Sequence, residues 1–425
     1  MLQFCFLLKS GEFRRSVCFA MATQTVAQPV SSLPGPIIEA PVIVVGITHS
    51  QTSLVLRARL RALREAGFRV TFVSSGGELF ERTARQAGVE HVAIPICREI
   101  SPLKDLVSLL RLWRLLGRCK PYLVEFSTPK AGLLGMLAAC LRGVPRRIYM
   151  LRGLKLETAA GWKRRLLWAA EWMTARCAHV VLCNSGSLRS EALALGLAPQ
   201  ARMRLLGDGS SNGVDMERFS PGPTDVRARL GYSRQTRVIG FVGRLTRDKG
   251  VPELIEALAG ILHAEPEARL LLVGWFDQSE DALGVELRAR IESHPCIDCT
   301  GFVTDTAPYY RAMEVMVLPT WREGFPNVVL EAASSGVPVI TTLSTGSRDS
   351  VVPEVTGLLI PPGYPEAIAE AVIKLLRDPD RCHRMGKAAR AWVTEHYGDE
   401  RVLGLTVEFY RSLLVEPGEK RFASS

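Results

Sequence analysis

Short apolar segments rich in valine and isoleucine alternate with longer stretches of helical periodicity along most of the chain, and the series runs twice. Parallel strands need a long crossover connection, which a helix supplies, so repeated strand–helix units fold into parallel sheets covered on both faces. The first series predicts strands at residues 42–46, 69–74, 91–96, 122–126, 147–151 and 180–183. A helix is predicted over 54–66, ending at Gly67. Residues 207–223, rich in glycine and proline, interrupt the pattern. A second series then predicts strands at 238–242, 269–273, 297–300, 315–318, 337–341 and 357–360. The expected fold class is therefore α/β, with two doubly wound, Rossmann-like domains whose ligands bind beyond the strand carboxyl ends.

At 425 residues the chain has room for both domains. Residues 1–40, rich in threonine, glutamine, proline and serine towards their end, read as an N-terminal extension, either disordered or upstream of the true start. The expected divisions are 41–215 for the first domain and 216–400 for the second, with a helix in 401–425 crossing back to the first domain. The longest uncharged apolar run, 131–141 between Lys130 and Arg142, falls well short of the roughly 20 residues that span a bilayer.

The net charge is +10, and residues 41–215 carry the excess of lysine and arginine. That asymmetry points to an anionic partner for the first domain, either lipid headgroups or a pyrophosphate-bearing acceptor. Nucleic acid fits poorly, because the basic residues are dispersed and no zinc-finger or RNP string accompanies them. Ten scattered cysteines with one isolated CxxC, Cys296 and Cys299, fit reduced thiols in a cytoplasm. The single Asp-x-Asp, Asp378 and Asp380 around Pro379, reads as a helix boundary, and no metal site is expected.

Two clusters carry chemistry. Residues 240–250, GFVGRLTRDKG, pass from a strand through a turn to a helix, placing Arg244 and Lys249 at the strand's carboxyl end. A guanidinium fork and an ammonium there can neutralise a departing diphosphate. Residues 323–331, EGFPNVVLE, follow another strand. Pro326 suits a first helical turn, leaving the amides of 327–329 free as an anion site. Eight residues of helix rise about 12 Å, so Glu323 and Glu331 address different parts of a ligand.

At these clusters the chain resembles the retaining glycosyltransferases of family 4, which have the two-domain fold called GT-B with a central cleft. The resemblance runs from about residue 42 to 414 and extends to the strings TGSRDSV (345–351) and NGVD (212–215). It implies that Arg244 and Lys249 grip the donor diphosphate and that Glu331 holds the ribose. Glu323 would lie beside the donor sugar, with backbone at Phe325, Asn327 and Val328 touching sugar and phosphate. Loops at Gly274 and Val303 would line the base pocket. Catalysis is assigned to Glu323, Arg244 and Lys249, the donor is a nucleotide sugar, most simply UDP-hexose or UDP-N-acetylhexosamine, and no cofactor or metal is required.

The stretches 127–139, STPKAGLLGMLAA, and 147–157, RIYMLRGLKLE, are similar to the branch that builds lipid-linked oligosaccharides and capsules. That similarity implies a polyprenyl-diphosphate-linked or glycan acceptor. Many relatives carry histidines near 125–127 and before the glycine at 153; this chain has Glu125, Phe126, Ser127 and Arg152 instead. Lys130 and Arg152 are the acceptor-side candidates. Residues 103–120 and 161–176 mix leucine and tryptophan, including Trp113, Trp162, Trp168 and Trp172, with basic residues, as helices lying in a lipid interface do. The expected location is the inner face of the cell membrane, peripherally bound. Two rivals share the fold: a sugar-nucleotide 2-epimerase, which would change a donor without any acceptor, and a non-catalytic assembly subunit, which would bind donor without transfer.

Overall fold

The computed structural model describes residues 40–97 and 101–414, so the N-terminal extension and the tail lie outside the described residues. Two parallel sheets organise the chain. The first has seven strands: β1 (Val42–Gly46), β2 (Arg69–Ser74), β3 (Glu90–Ala93), β4 (Leu123–Ser127), β5 (Arg146–Leu151), β6 (Val180–Cys183) and β7 (Met203–Leu205). Their order is β3-β2-β1-β4-β5-β6-β7. The second has six: β8 (Arg237–Val242), β9 (Ala268–Val273), β10 (Ile297–Cys299), β11 (Val315–Leu318), β12 (Val339–Thr342) and β13 (Gly357–Ile360), in the order β10-β9-β8-β11-β12-β13. Every neighbouring pair is parallel. Strand order reverses between β1 and β4 and between β8 and β11, and crevices for ligands open at such points.

Helices cover both faces of each sheet, so central strands such as β4 and β11 are buried along their whole length. This is why β11, Val-Met-Val-Leu, reads as a continuous apolar run rather than an alternating one. The two faces of the first sheet have separate cores, one around Val124, Phe126 and Leu151, the other around Ile43, Leu123 and Met150.

Three expectations need correction. The third strand ends at Ala93 rather than 96, because Pro95 has no amide hydrogen to continue the ladder; Ile94 and Ile96 are nonetheless buried. The helix predicted over 54–66 is a 3-10 turn, Ser50–Leu56, running into an α-helix, Arg57–Glu65. β7 was absent from the pattern, since three residues with an arginine at their centre carry little strand signal.

The last helix, Asp399–Leu414, packs on the first sheet rather than the second: Tyr410 is fully buried beside Ile43, Leu60 and Phe68. Its approach is fixed at Val214, which pairs with Gly398 as an isolated bridge. Asp215 of the NGVD string meanwhile accepts from the Arg218 amide at 2.9 Å, closing a turn.

A carboxyl buried inside the first domain gives a pH test. Glu171, on the helix Gly161–Cys177, accepts a 2.6 Å hydrogen bond from Tyr149 of β5. Burial pushes its pKa up to about 7 from the ordinary 4.5. Between those values the folded chain holds a proton that the unfolded chain has released, so this group makes stability fall as pH rises through that window. Above it the penalty is complete, at most about 3 kcal/mol. Glu171→Gln is therefore expected to raise the melting temperature at pH 8 and to change it little at pH 4. A variant no more stable than wild type at pH 8 would refute this account.

Candidate active site

The first cationic cluster is built by a loop that cannot relax. β8 ends at Val242, a one-turn 3-10 segment Arg247–Lys249 follows, and Gly250 turns the chain into the helix Val251–Ala264. Gly250 has φ 74°, and a Cβ there would sit 1.9 Å from the Pro319 carbonyl oxygen. Glycine is thus required twice over, by backbone conformation and by contact with the loop after β11. That contact sets Lys249 beside Glu323: Nζ donates to Oε1 at 2.5 Å, with both side chains mostly buried.

Arg244 is also engaged. Its Nη1 donates to Asp277 Oδ2 at 2.6 Å, and its Nη2 lies 3.9 Å from Asp248. Asp248, nearly buried, accepts from Thr246 Oγ1 at 2.6 Å and pairs with Arg322 at 3.2 Å. Burial alone would raise its pKa, but Lys249, the Thr246 hydroxyl, Arg322 and Arg244 together hold it below the ordinary aspartate value. The sequence presented Arg244 and Lys249 as free cations; the fold pairs each with a carboxylate, because partly buried charges are costly without a partner. Asp248, Asp277 and Arg322 were missed as members of the cluster, and only the Asp248 spacing within the loop could have signalled one of them.

The second cluster begins with Glu323, whose amide donates to the Thr345 carbonyl at 3.0 Å, and leads into the helix Asn327–Ser334. Pro326 occupies the N-cap rather than the first turn, with extended backbone. The Val329 amide donates to the Pro326 carbonyl, so the free first-turn amides reduce to Asn327 and Val328. Phe325 is buried against Tyr397, with ring centroids 5.1 Å apart. Lys249, Glu323, Phe325, Asn327 and Val328 border one cavity of about 200 Å³, together with Gly243 at the end of β8. A comparable cavity of about 190 Å³ lies near Arg237 and Glu314, at the opposite ends of the strands. There Glu314 already accepts from Arg227, so its charge is internally satisfied.

Arg244, Glu331, Gly274 and Val303 lie outside the lining of that first cavity. Glu331 sits one turn along the helix, accepting from Tyr310 at 2.8 Å and Thr306 at 3.4 Å. Burial raises its pKa against the lowering effect of the Tyr310 hydroxyl. Gly274, following β9, bridges Gly301, and a Cβ on it would meet the Gly243 carbonyl at 1.7 Å. Val303 is packed against the second-domain core. Asp378 caps the helix Pro379–Tyr397 by accepting from the Arg381 amide at 2.8 Å. Among the described residues no group of three or more His, Cys, Asp or Glu is arranged to hold a metal ion.

Across the cleft, Arg152 follows β5, and its carbonyl oxygen would lie 2.2 Å from a Cβ on Gly324. Gly153 lies against the same backbone. A second crossing joins the TGSRDSV string to the helix Gly186–Ala194: the Gly346 amide donates to Ser187 Oγ at 2.7 Å, and the Ser187 amide donates to Asp349 at 3.2 Å. Lys130, in the first turn of the helix Pro129–Leu141, is ion-paired at 2.8 Å with Asp105 of the helix Pro102–Cys119. Its charge thus ties two helices of the first domain together.

The two helices singled out for lipid contact flank Pro129–Leu141 on one side of the first sheet. Along Pro102–Cys119, Leu103 (82% exposed), Leu106 (53%), Val107 (47%) and Leu110 (42%) form an outward stripe at helical spacing. Gly161–Cys177 exposes Trp162, Leu166, Trp168, Trp172 and Met173, the rings of Trp168 and Trp172 stacked at 6.2 Å. Trp113 does not join them, because it packs towards the core beneath the Arg142 guanidinium. No helix among the described residues is long and apolar enough to cross a membrane.

Comparison with known proteins agrees with the two-sheet architecture. Residues 236–378 match the family described as glycosyl transferases group 1, and residues 53–209 match the glycosyl transferase 4-like domain. The capsular polysaccharide biosynthesis glycosyltransferase CapM of Staphylococcus aureus is 34% identical over 371 residues, 87% of this chain and 97% of the relative. An Escherichia coli UDP-Gal:α-D-GlcNAc-diphosphoundecaprenol α-1,3-galactosyltransferase is 28% identical over 67% of this chain and 73% of its own length. Among solved structures, sucrose-phosphate synthase from Thermosynechococcus elongatus superposes with a TM-score of 0.73 at 23% identity, covering 88% of this chain and 99% of that one. HepE of Anabaena, solved with UDP-glucose, gives 0.73 at 19% identity over 87% and 99%.

Proposed function

We propose, from the premise that this chain belongs to the group 1 glycosyltransferases and has their GT-B fold, that it is a retaining hexosyltransferase using a UDP-sugar and a lipid-linked or polysaccharide-precursor acceptor. Use of a nucleotide-sugar donor follows from the family. The finer reading is carried by one observation: Lys249 and Glu323 are paired at a cavity that also receives the free amides of Asn327 and Val328. An ammonium and a helix N-terminus suit a diphosphate, while a carboxylate beside them suits a sugar hydroxyl.

In the proposed reaction the bond between the anomeric carbon and the diphosphate oxygen breaks as the acceptor oxygen bonds to the same face of that carbon. The acceptor proton passes to the departing phosphate oxygen. Lys249, Arg244 and the helix amides stabilise the charge developing on the diphosphate, which is electrostatic catalysis. Glu323 orients the sugar, Glu331 accepts from the ribose hydroxyls, and Gly274 and Val303 border the base. The scheme calls on no metal ion. Arg152 serves the acceptor; with Lys130 held by Asp105, it is the stronger of the two acceptor-side candidates. The undecaprenol-linked acceptor in the name of the E. coli relative supports a lipid-linked substrate here.

Purified protein incubated with UDP-sugars and membrane lipid extract, with and without EDTA, is expected to yield a glycosylated lipid by mass spectrometry in both conditions. Epimerised donor without any acceptor would establish the 2-epimerase instead. Donor binding with no product from any extract would establish an assembly subunit.

The acceptor's location calls for a membrane surface, and the leucine stripe with its neighbouring tryptophans is proposed as that surface, on the inner leaflet. Lys104, Arg111 and Arg114 on the same helix complement anionic headgroups. Leu106→Glu combined with Leu110→Glu is expected to abolish flotation with phosphatidylglycerol vesicles and to spare UDP binding. Undiminished flotation of that variant would exclude this face.

A further inference from the structure

Several polar side chains crowd the first-domain wall of the cleft. Glu125 of β4 is fully buried, and its carboxylate pairs with Arg59 while also accepting from Tyr410. Arg59 Nη1 reaches the Ser211 carbonyl at 3.4 Å, and Arg152 Nη1 donates to Ser211 Oγ at 2.7 Å. Strand alternation places Glu125: Leu123 and Ile148 face the core that holds Tyr410, so Glu125, two positions beyond Leu123 on β4, turns the same way. Arg152 lies past the end of β5 and joins the group through Ser211, which Arg59 also reaches.

Glu125 pairs with Arg59 alone, so Arg152, which feels that carboxylate only at longer range, brings a second positive charge to a largely buried site. Burial, then the charge of Arg59, depress the Arg152 pKa to about 10, the direction expected of a cation with too little negative charge around it. Its Nη1 is anchored, whereas Nε and Nη2 are buried with no hydrogen-bond partner. Those two N–H groups form the side-on edge of a guanidinium, which matches two oxygens of one phosphate or carboxylate. Asn184 Oδ1 and both amide atoms of Asn212, beside Ser211, are also buried and unpartnered. A Cβ on Gly324 would lie 2.9 Å from that Asn184 oxygen, which puts Asn184 beside the residue that follows Glu323.

We propose that Arg152 seats an oxyanion carried by the acceptor, a phosphate or a carboxylate, through Nε and Nη2, with Asn184 and Asn212 beside it for hydroxyl groups. The inference rests on the transferase reading and adds the acceptor's chemical class to it. Both nitrogens are shielded as the domains stand, so the anion enters with the cleft opened where Gly153 meets Gly324.

Isothermal titration on the full chain tests this, with saturating UDP holding the donor site. Inorganic phosphate is titrated in one arm and D-glucuronate in another. Wild type is expected to bind one of them, and Arg152→Gln, Arg152→Lys and Ser211→Ala each to weaken that binding by about tenfold or more, because the first removes the fork, the second keeps only a point charge and the third frees its anchor. The Kd for UDP should stay within about twofold in all three, since no donor group is touched. Phosphate preference would identify a lipid phosphate or diphosphate as the source, and glucuronate preference an acidic sugar. If neither anion binds wild type, or affinity is unchanged in the variants, the proposal is overturned; Arg152→Lys and Ser211→Ala decide should Arg152→Gln fail to fold. Failure of wild type to bind UDP would instead sink the transferase reading, and titration without UDP would still decide the Arg152 seat.

Discussion

Lys249→Ala is expected to lower kcat/KM for transfer by about 10²- to 10³-fold, the usual cost of removing one preorganised donor from a site of developing negative charge. The ammonium lies 2.5 Å from Glu323 at the cavity that also receives the Asn327 and Val328 amides, so its loss removes the point charge nearest the proposed diphosphate. It also leaves Glu323, mostly buried, without its counter-charge. UDP affinity should therefore fall along with turnover, while circular dichroism stays unchanged because Lys249 lies in a loop anchored independently by Gly250. Wild-type kcat/KM in this variant would remove the diphosphate from the groove and the proposed mechanism with it.

Gly324→Ala is expected to lower kcat by about 100-fold while changing UDP affinity little, since small misplacements of reacting groups cost rates on that scale. Gly324 is not among the residues with positive φ, so alanine brings no backbone strain to its own loop. The conflict lies across the cleft: the added methyl would sit 2.2 Å from the Arg152 carbonyl oxygen and 2.9 Å from Asn184 Oδ1. Backbone oxygen cannot swing aside as a side chain can, so the domains are expected to be held apart at the point where donor and acceptor are proposed to meet. Small-angle scattering of the UDP-bound variant should show a larger radius of gyration than wild type. Equal turnover in the two proteins would mean that this contact is not part of the reacting state.

The contrast between these substitutions marks what could be read in advance. Lys249 was legible because GFVGRLTRDKG is a local pattern, a strand, a turn and a helix start, and its position at a strand's carboxyl end follows from chain order alone. Glu323 was legible from EGFPNVVLE for the same reason. The importance of Gly324 was not, because nothing in residues 323–331 says that Arg152, far away in the chain, will lie against it. The engagement of Arg244 by Asp277 was hidden likewise: the partner is 33 residues away, at the end of the adjacent strand β9.

The sequence by itself determined that there would be two parallel α/β sheets, where most of their strands fall, and which loops stand at the carboxyl ends. These follow from hydrophobic periodicity and turn residues, which act over a few positions and survive any rearrangement of the rest. Tertiary structure alone decided which charges neutralise one another, that Trp113 is covered while Leu103 and Trp162 are bare, and that Arg59, Glu125, Arg152 and Tyr410 share one buried site. The physical reason is that a charge or a glycine is selected by what packs against it, and that neighbour is chosen by the closing of one sheet upon another, over distances in sequence that no local pattern records.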